Sequence, residues 1–252
     1  MNCSRVASLI LLATLAASQP ALAQSPAAAE PGPPSVVSLF TDLGHDLRHL
    51  ASRDSALILG AAGVASLAVK PADERITRRA SQSPPLDTTF DQGALIGDGA
   101  VQVGGAVAVY GLGRAFHRTA VASVGADLVQ AQIVNGALTL TLKYAVNRTR
   151  PNGGHYSFPS GHSSATFATA TVLDRHFGWR VGVPAYALAG YVAVSRLSEN
   201  QHFASDVIFG AGIGIVSGRA MTIGKGRAAV TVTPLRLPGG GGVWVTLGAS
   251  TP

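Results

Sequence analysis

Three short blocks in the second half of the chain carry residues that could act on a phosphate group. The first is KYAVNRTRP, in which Lys143 and Arg150 lie seven residues apart and Pro151 follows. Seven residues make about two helical turns, so the spacing predicts that both cations point to one face of a helix that Pro151 ends. Two cations at one spot suit a tetrahedral dianion. A solvated basic helix end gives the same pattern, so this block alone does not distinguish a phosphate site from an ordinary helix end.

The second block is PSGH, which ends at His162 and is followed by the helical run SSATFATATVL. Ser160 fits the N-cap of that helix, and Gly161 lets the backbone approach a ligand closely. The free N–H groups of a first helical turn can bind an anion, and His162 could give a proton to a leaving oxygen. Taken alone, an ordinary capped helix with an exposed histidine is the simpler interpretation.

The third block is SRLSENQHFASD, which contains Arg196, His202 and Asp206. His202 and Asp206 are four residues apart, so they would be neighbours if a helix begins this early. A carboxylate on one imidazole nitrogen fixes the tautomer and leaves the other nitrogen free as a nucleophile. Arg196 adds a third cation. A surface cluster of salt bridges is the alternative interpretation of this block.

Together the blocks resemble the three-part signature of the type 2 phosphatidic acid phosphatase and vanadium haloperoxidase superfamily. That signature is Lys, six residues, Arg-Pro; then Pro-Ser-Gly-His; then Ser-Arg, five residues, His, three residues, Asp. The chain matches every specified position between residues 143 and 206. The resemblance implies a metal-independent enzyme of the phosphatase branch, and it implies a role for each matched residue.

By this resemblance, three cations bind the phosphoryl oxygens with help from Ser160 and the Gly161 amide; they are Lys143, Arg150 and Arg196. His202 attacks phosphorus, and Asp206 orients it. His162 protonates the leaving alcohol and then activates water against the phosphohistidine. We expect no cofactor and no metal site. Helically spaced acids and histidines do occur near the start of the chain, and we interpret them as a solvated amphipathic helix: Asp42, His45, Asp46 and His49.

Composition favours closely packed helices. Hydrophobic residues make up 47% of the 252 residues, charged residues only 13%, and the chain contains 30 glycines. The formal net charge of +6 suits anionic partners such as phosphate esters or a membrane surface. Nucleic acid is not expected, because no basic stripe is interleaved with aromatic residues.

The sequence predicts an all-α fold, a bundle of about six helices of the phosphatidic acid phosphatase and haloperoxidase type. The predicted helices are Ser55–Val69, Ala94–Gly113, Ala120–Asn147, His162–His176, Val181–Ser195 and Ser205–Gly218. An Arg-, Ser- and Pro-rich loop is expected from Lys70 to about Asp91. The segments AAVTVTPLRL and VWVTL predict a short C-terminal β-hairpin.

Four segments are expected along the chain. Residues 1–23 have a basic start, an apolar run and a small-x-small cleavage site, which predicts a signal peptide and export to the periplasm or cell envelope. Cys3, the single cysteine of the sequence, lies in this segment. Residues 24–40 predict a Pro-rich lead-in, residues 41–221 the helical phosphatase domain, and residues 222–252 a tail with the hairpin.

The expected function is hydrolysis of phosphomonoesters or pyrophosphates through a phosphohistidine. A phosphorylated lipid and a small soluble ester remain alternative substrates. We favour a periplasmic helical domain over a membrane bundle, because no apolar run after the leader reaches the ~20 residues of a span. The other candidates are a vanadium-dependent haloperoxidase, which would need vanadate, and a non-catalytic anion-binding envelope protein. His155 is expected in a surface loop, and His117 and His176 are expected to face solvent.

Overall fold

The computed structural model describes residues 32–82, 92–223, 228–237 and 240–249, with the last two ranges described for the backbone alone. The predicted signal peptide and its cleavage site lie outside the described residues. The same holds for residues 24–31 of the predicted Pro-rich lead-in and for part of the predicted loop before Asp91.

Eight helices of nine or more residues lie in the described part of the chain, so the predicted helical bundle is confirmed but the expected number of about six is wrong. They are α1 (Val36–Asp46), α2 (Arg53–Val69), α3 (Asp73–Ser81), α4 (Gly99–Ala115), α5 (Thr119–Val146), α6 (Gly161–Phe177), α7 (Trp179–Ser198) and α8 (Ala204–Ala220). Shorter helical turns cover Leu47–Ala51, Lys70–Ala72 and Gly93–Gly97.

Two helices, α1 and α3, are not among the six predicted for the bundle, although the end of α1 overlaps the amphipathic helix predicted around Asp42 to His49. Both have ordinary end signals. The hydroxyl of Ser35 caps α1 by accepting a hydrogen bond from the backbone of Ser38, inside the predicted lead-in. α3 lies where a loop was predicted. It has acidic residues in its first turn and Arg78 and Arg79 in its last, which is the charge order that the helix dipole favours.

Two strands lie in the C-terminal part of the chain. They are β1 (Ala228–Leu237) and β2 (Gly240–Ala249). They pair antiparallel, with Ala228 opposite Ala249 and Leu237 opposite Gly240. The described residues of the tail therefore form a two-stranded sheet after the last helix.

A row of glycines brings α8 into backbone contact with α6. A Cβ at Gly210 would lie 2.6 Å from the carbonyl oxygen of Ser160, and one at Gly214 would lie 2.2 Å from that of Ser164. Gly218 continues the row one turn later, against Ala168 and Thr171. Glycine at every fourth position removes the side chains from one helix face, so the two helices can approach more closely than larger residues allow.

α2 runs antiparallel along α8 from one end of the bundle to the other. At one end, Arg219 of α8 pairs with Asp54 at 3.0 Å. At the other end, the hydroxyl of Ser66 donates to the carbonyl oxygen of Ser205 at 2.9 Å. α2 therefore spans the length of α8, and α3 follows at the end where α8 begins.

Many polar residues are buried in this bundle beside its apolar core, and many large apolar residues are exposed on its surface. The buried face of α5 includes Asp127, Gln130, Gln132, Asn135 and Thr139. Large apolar side chains on α2, α4 and α7 are exposed, among them Leu57, Val64, Leu67, Val107, Leu112, Val183 and Leu188. Water-soluble proteins show the reverse distribution, and exposed apolar surface on this scale marks a contact with a lipid or protein partner.

The expectation that no segment is long and apolar enough to cross a membrane is wrong. Within the described residues, the continuous helical segment Arg53–Ser81 meets both conditions, and only 11% of its apolar window is buried. The apolar run ends at Val69 as predicted, but the turn Lys70–Ala72 carries the helix onward into the polar α3.

Substitution of Gly214 tests the contact between α6 and α8. Gly214→Ala should destabilise the fold by about 1–3 kcal/mol, because the new methyl group overlaps the backbone of α6. Gly136→Ala is the matched control, since nothing lies within 4 Å of a Cβ at that helical position. The control should be as stable as the parent or slightly more so, because alanine favours helix. Thermal unfolding measures both, and equal melting temperatures would contradict the close contact.

Candidate active site

His202 is held in the loop between α7 and α8, and its side chain is buried. Its Nδ1 lies 2.6 Å from the carbonyl oxygen of Ser157, and its backbone N–H donates to the carbonyl of Arg196. A carbonyl oxygen can only accept, so Nδ1 carries the proton and Nε2 keeps its lone pair. The carbonyl oxygen of Ser157, in the loop between the first two predicted blocks, therefore fixes the tautomer of His202, and Arg196 of the third block holds its backbone.

Asp206 does not contact His202 in the way that the sequence predicts. α8 begins at Ala204, so the two residues do not share a helix, and Oδ2 of Asp206 lies 3.9 Å from Nδ1 of His202. That separation is too long for a hydrogen bond. Instead Oδ2 accepts from the hydroxyl of Ser157 at 2.5 Å and from the backbone of Phe203 at 2.9 Å. The expected direct orientation of the imidazole by Asp206 is therefore wrong in geometry.

Lys143 and Arg150 come together, but not on one helix. α5 ends at Val146, and Asn147 has the left-handed backbone that closes a helix, with φ of 42°. Arg150 follows in a loop, where it donates to the side chain of Gln201, one residue before His202, and to the carbonyl oxygen of His155. Lys143 donates from the last turn of α5 to the carbonyl of Tyr156 at 2.7 Å. The predicted two-turn helical spacing is wrong, although both cations reach the site.

Arg196 supplies a third cation from the last turn of α7. Arg196 is 3% exposed, and its guanidinium is held by the hydroxyl of Ser195 and by the carboxylate of Glu199. The positive charge of Arg196 acts on His162, and that of Arg150 acts on Arg196 and on His202. The three predicted cations therefore surround the two histidines.

The first turn of α6 brings Ser160, Gly161 and His162 to the same place. Ser160 is the N-cap, as predicted: its hydroxyl accepts from the backbone of Ser163, and its own N–H donates to the carbonyl of Asp206 at 3.0 Å. A Cβ at Gly161 would lie 3.8 Å from Cε of Lys143, so this helix end faces a cation. Such an end offers N–H groups to an anion.

The turn Gly93–Gly97 supports His162 from the side. His162 has a hydrogen bond to the backbone of Ala94, and a Cβ at Gly97 would lie 3.0 Å from the Cβ of His162. At the start of the turn, a Cβ at Gly93 would overlap the hydroxyl of Ser195. The turn therefore needs glycine at both positions to lie this close to α7 and His162.

Burial and positive charge shift the proton affinities in the site. Burial, and then the positive charge of Arg150, lower the pKa of Lys143 to about 8. Burial and then Arg196 lower the pKa of His162 to about 4. The pKa of His202 lies well below its usual value because the ring is buried and because Lys143 and Arg150 are nearby. Both histidines are therefore neutral at pH 7 in the free site.

The structure thus brings together all eight residues that the motifs single out. The sequence analysis missed the residues that hold them: Ser157, Arg148, Gln201, Glu199 and the turn Gly93–Gly97. Arg148 had a signal, since it is an additional charge within the first block, KYAVNRTRP, in a chain with only 13% charged residues. Gly93 and Gly97 also had one, because they are four residues apart and would share a helix face.

The other histidines are only partly as predicted. His117 and His155 are exposed, but His176 is buried, and its Nε2 lies 2.8 Å from the carboxylate of Asp127. The solvent-facing position predicted for His176 is wrong, because its helix turns that side chain toward α5. Asp46 is also buried, although its neighbours Asp42 and His45 are exposed. Within the described ranges, no group of three or more His, Cys, Asp or Glu side chains is placed to hold a metal ion.

The chain is similar to known phosphatases over its C-terminal half. Residues 152–228 match the PAP2 superfamily. A lipid A 1-phosphatase of Porphyromonas gingivalis is 39% identical over 87 residues, which cover 33% of this chain and 20% of that protein. The chain therefore matches only about a fifth of the length of this curated relative. These matches confirm the resemblance that the three motifs predict.

Two solved structures share the arrangement of helices. LpxE of Aquifex aeolicus aligns with a TM-score of 0.50 and 25% identity, covering 59% of this chain and 93% of that chain. A transmembrane PAP2 type phosphatidylglycerolphosphate phosphatase of Bacillus subtilis aligns with a TM-score of 0.51 and 24% identity, covering 73% of this chain and 92% of that one. The second likeness concerns the fold alone.

Phosphate binding should weaken above pH 8, because Lys143 loses its charge as the pH rises through its pKa of about 8. Lys143→Arg should remove this loss, since arginine stays charged throughout that range. Calorimetric titration with inorganic phosphate between pH 7 and 9.5 measures the effect. An affinity for the parent chain that does not change across this range would contradict the lowered pKa of Lys143.

Proposed function

We propose, from the resemblance of residues 152–228 to the PAP2 superfamily, that this chain is a phosphatase that hydrolyses phosphorylated lipids through a phosphohistidine at His202. The observation that carries the proposal is the hydrogen bond from Nδ1 of His202 to the carbonyl oxygen of Ser157. It gives Nε2 a lone pair in a buried site that also holds three cations. An imidazole in that state is a nucleophile for phosphorus.

In the first step, Nε2 of His202 attacks phosphorus, and the bond between phosphorus and the leaving oxygen breaks. His162 donates the proton that the leaving oxygen needs. The low pKa of His162 belongs to the free site. A bound phosphate dianion adds negative charge beside the ring and favours its protonated form, so substrate binding prepares the acid.

In the second step, water attacks the phosphohistidine, and the phosphorus–nitrogen bond breaks. His162 has lost its proton in the first step and now accepts one from the water. Phosphate leaves, and His202 returns to its starting tautomer. The same ring thus acts as an acid toward the leaving oxygen in the first step and as a base toward the attacking water in the second.

Fixed positive groups stabilise the charge on the phosphoryl oxygens in both steps. Lys143, Arg150 and Arg196 approach from three separate elements, and the first turn of α6 adds the Gly161 amide. Their own partners hold them in place before substrate arrives: Tyr156 holds Lys143, Gln201 holds Arg150, and Glu199 holds Arg196. Donors that are already oriented cost little reorganisation in the transition state. This arrangement supplies the charge without a metal or other cofactor.

The exposed surface of the molecule supports a lipid as the substrate. The catalytic loops join helices whose outer surfaces expose large apolar side chains, and the segment Arg53–Ser81 is long and apolar enough to cross a membrane. A lipid phosphate in a bilayer presents its phosphate at the ends of such helices. The curated relative is named for lipid A 1-phosphate, which is a phosphorylated lipid. Export to the periplasm or cell envelope remains a prediction from residues 1–23.

Trapping the covalent intermediate tests the mechanism. Acid-sensitive, base-stable phosphate should appear on the parent chain after rapid quenching, and His202→Ala should carry none and lose turnover. With a substrate whose leaving group needs no acid, His162→Ala should accumulate the intermediate, because the second step lacks its base. Addition of EDTA should change neither the formation of the phosphohistidine nor the turnover rate of the parent chain. Label that persists in His202→Ala, or strong inhibition by EDTA, would overturn these assignments.

A substrate panel and membrane extraction test the lipid proposal. Lipid A 1-phosphate, phosphatidate and phosphatidylglycerolphosphate in mixed micelles should be hydrolysed with higher kcat/KM than p-nitrophenyl phosphate. The chain should stay in the membrane after a high-salt wash and leave it in detergent. Release by salt together with a preference for the soluble ester would favour a soluble phosphatase. Peroxide-dependent bromide oxidation with vanadate, without phosphatase activity, would favour the haloperoxidase alternative.

A further inference from the structure

Arg148 lies between two buried carboxylates next to the site, although no motif position specifies it. Its Nη1 donates to Oδ1 of Asp206 at 2.7 Å, and its Nη2 donates to Oδ2 of Asp73 at 2.8 Å. Nη1 also donates to the hydroxyl of Ser205 at 2.7 Å, and the ring of Phe203 lies 4.2 Å from the guanidinium carbon. One side chain therefore joins α3 to the first turn of α8.

This ion cluster has a physical reason to keep its geometry. The side chains of Asp73 and Asp206 are 3% and 0% exposed, and a buried carboxylate is costly unless a cation and hydrogen-bond donors surround it. Asp73 is completed by the backbone and the hydroxyl of Ser205, and Asp206 by Ser157 and Phe203. The planar fork of Arg148 serves both carboxylates at once, and a lysine in its place could reach only one of them well.

The cluster reaches His202 through Ser157. The hydroxyl of Ser157 donates to Asp206, and the carbonyl oxygen of the same residue accepts from Nδ1 of His202. The backbone of Ser157 is also tied to the carbonyl oxygen of Arg148 at 2.8 Å. Asp73, Arg148, Asp206, Ser157 and His202 therefore form one continuous chain of contacts.

We propose that Arg148, Asp73 and Ser157 are positioning residues that set the tautomer and direction of the His202 ring. In this arrangement Asp206 acts on His202 indirectly: it anchors the hydroxyl of Ser157, and the carbonyl of Ser157 orients the ring. Arg148 and Asp73 hold the carboxylate of Asp206 in the rotamer that reaches Ser157. The inference rests on the proposed phosphohistidine chemistry and adds three residues to it.

The test compares Arg148→Lys and Ser157→Ala with the parent chain on the soluble substrate p-nitrophenyl phosphate. Both variants should lower kcat about 10- to 100-fold, the range typical of groups that orient a directly acting residue. KM should change less than twofold, because Lys143, Arg150 and Arg196 are intact. Ser157→Thr should retain most of kcat, since it keeps the hydroxyl. Arg219→Lys is the matched control, as its pair with Asp54 is far from the site, and it should keep full activity.

A double-mutant cycle separates positioning from loss of structure. If Arg148 and Ser157 act through one chain of contacts, Arg148→Lys with Ser157→Ala should be little slower than the slower single variant. Nitrogen NMR of labelled histidine should show the Nδ1–H tautomer of His202 in the parent chain and a mixture in both variants. If Arg148→Lys does not fold, the kcat of Ser157→Ala and the tautomer of His202 in that variant test the inference.

The inference is wrong if Ser157→Ala and Arg148→Lys keep full kcat, if their effects multiply in the double variant, or if the tautomer of His202 is unchanged. These outcomes differ from a failure of the proposed function. In that case the parent chain itself would form no phosphohistidine and would not hydrolyse the soluble ester.

Discussion

The contact between α6 and α8 is the constraint on which the site depends. Because Gly210 and Gly214 leave no side chain between the helices, the N–H of Ser160 can donate to the carbonyl of Asp206 at 3.0 Å. This bond joins the start of α6 to the start of α8. The anion-binding helix end and the loop that carries His202 are thereby fixed relative to each other, and the loops from α5 and α7 then close around them.

The site gathers several positive charges in a partly buried place, where like charges repel each other. Burial, together with the crowding of three cations and two histidines, lowers the pKa of Lys143 and of both rings. Their repulsion is offset in part by carboxylates set slightly further back, such as Asp206 and Glu199. The result is a preformed cluster of positive charge that a phosphate dianion can neutralise. The apolar side chains exposed on α2, α4 and α7 mark a surface for contact with a lipid or protein partner.

The sequence predicted the cores of the long helices well, since His162–His176 and Ser205–Gly218 lie inside α6 and α8. It failed where a helix is marked by charges at its ends and not by an apolar stripe. α3 has almost no apolar stripe, and its charged residues were interpreted as part of a loop. The motifs identified all eight site residues, but they could not give the contacts among them. Helical spacing suggested a shared helix face for Lys143 and Arg150 and a direct contact between His202 and Asp206. In both cases a helix end lies between the two residues, so loop geometry decides the contacts.

The acceptor that fixes the tautomer of His202 belongs to the main chain, as the carbonyl oxygen of Ser157. Every amino acid supplies such an oxygen, so alanine scanning cannot delete it and an alignment of related sequences would not reveal it. Insertions or deletions between Arg150 and Pro159 would displace it, even where each motif residue is retained. The length of this loop is therefore as much a part of the catalytic apparatus as the identity of its side chains.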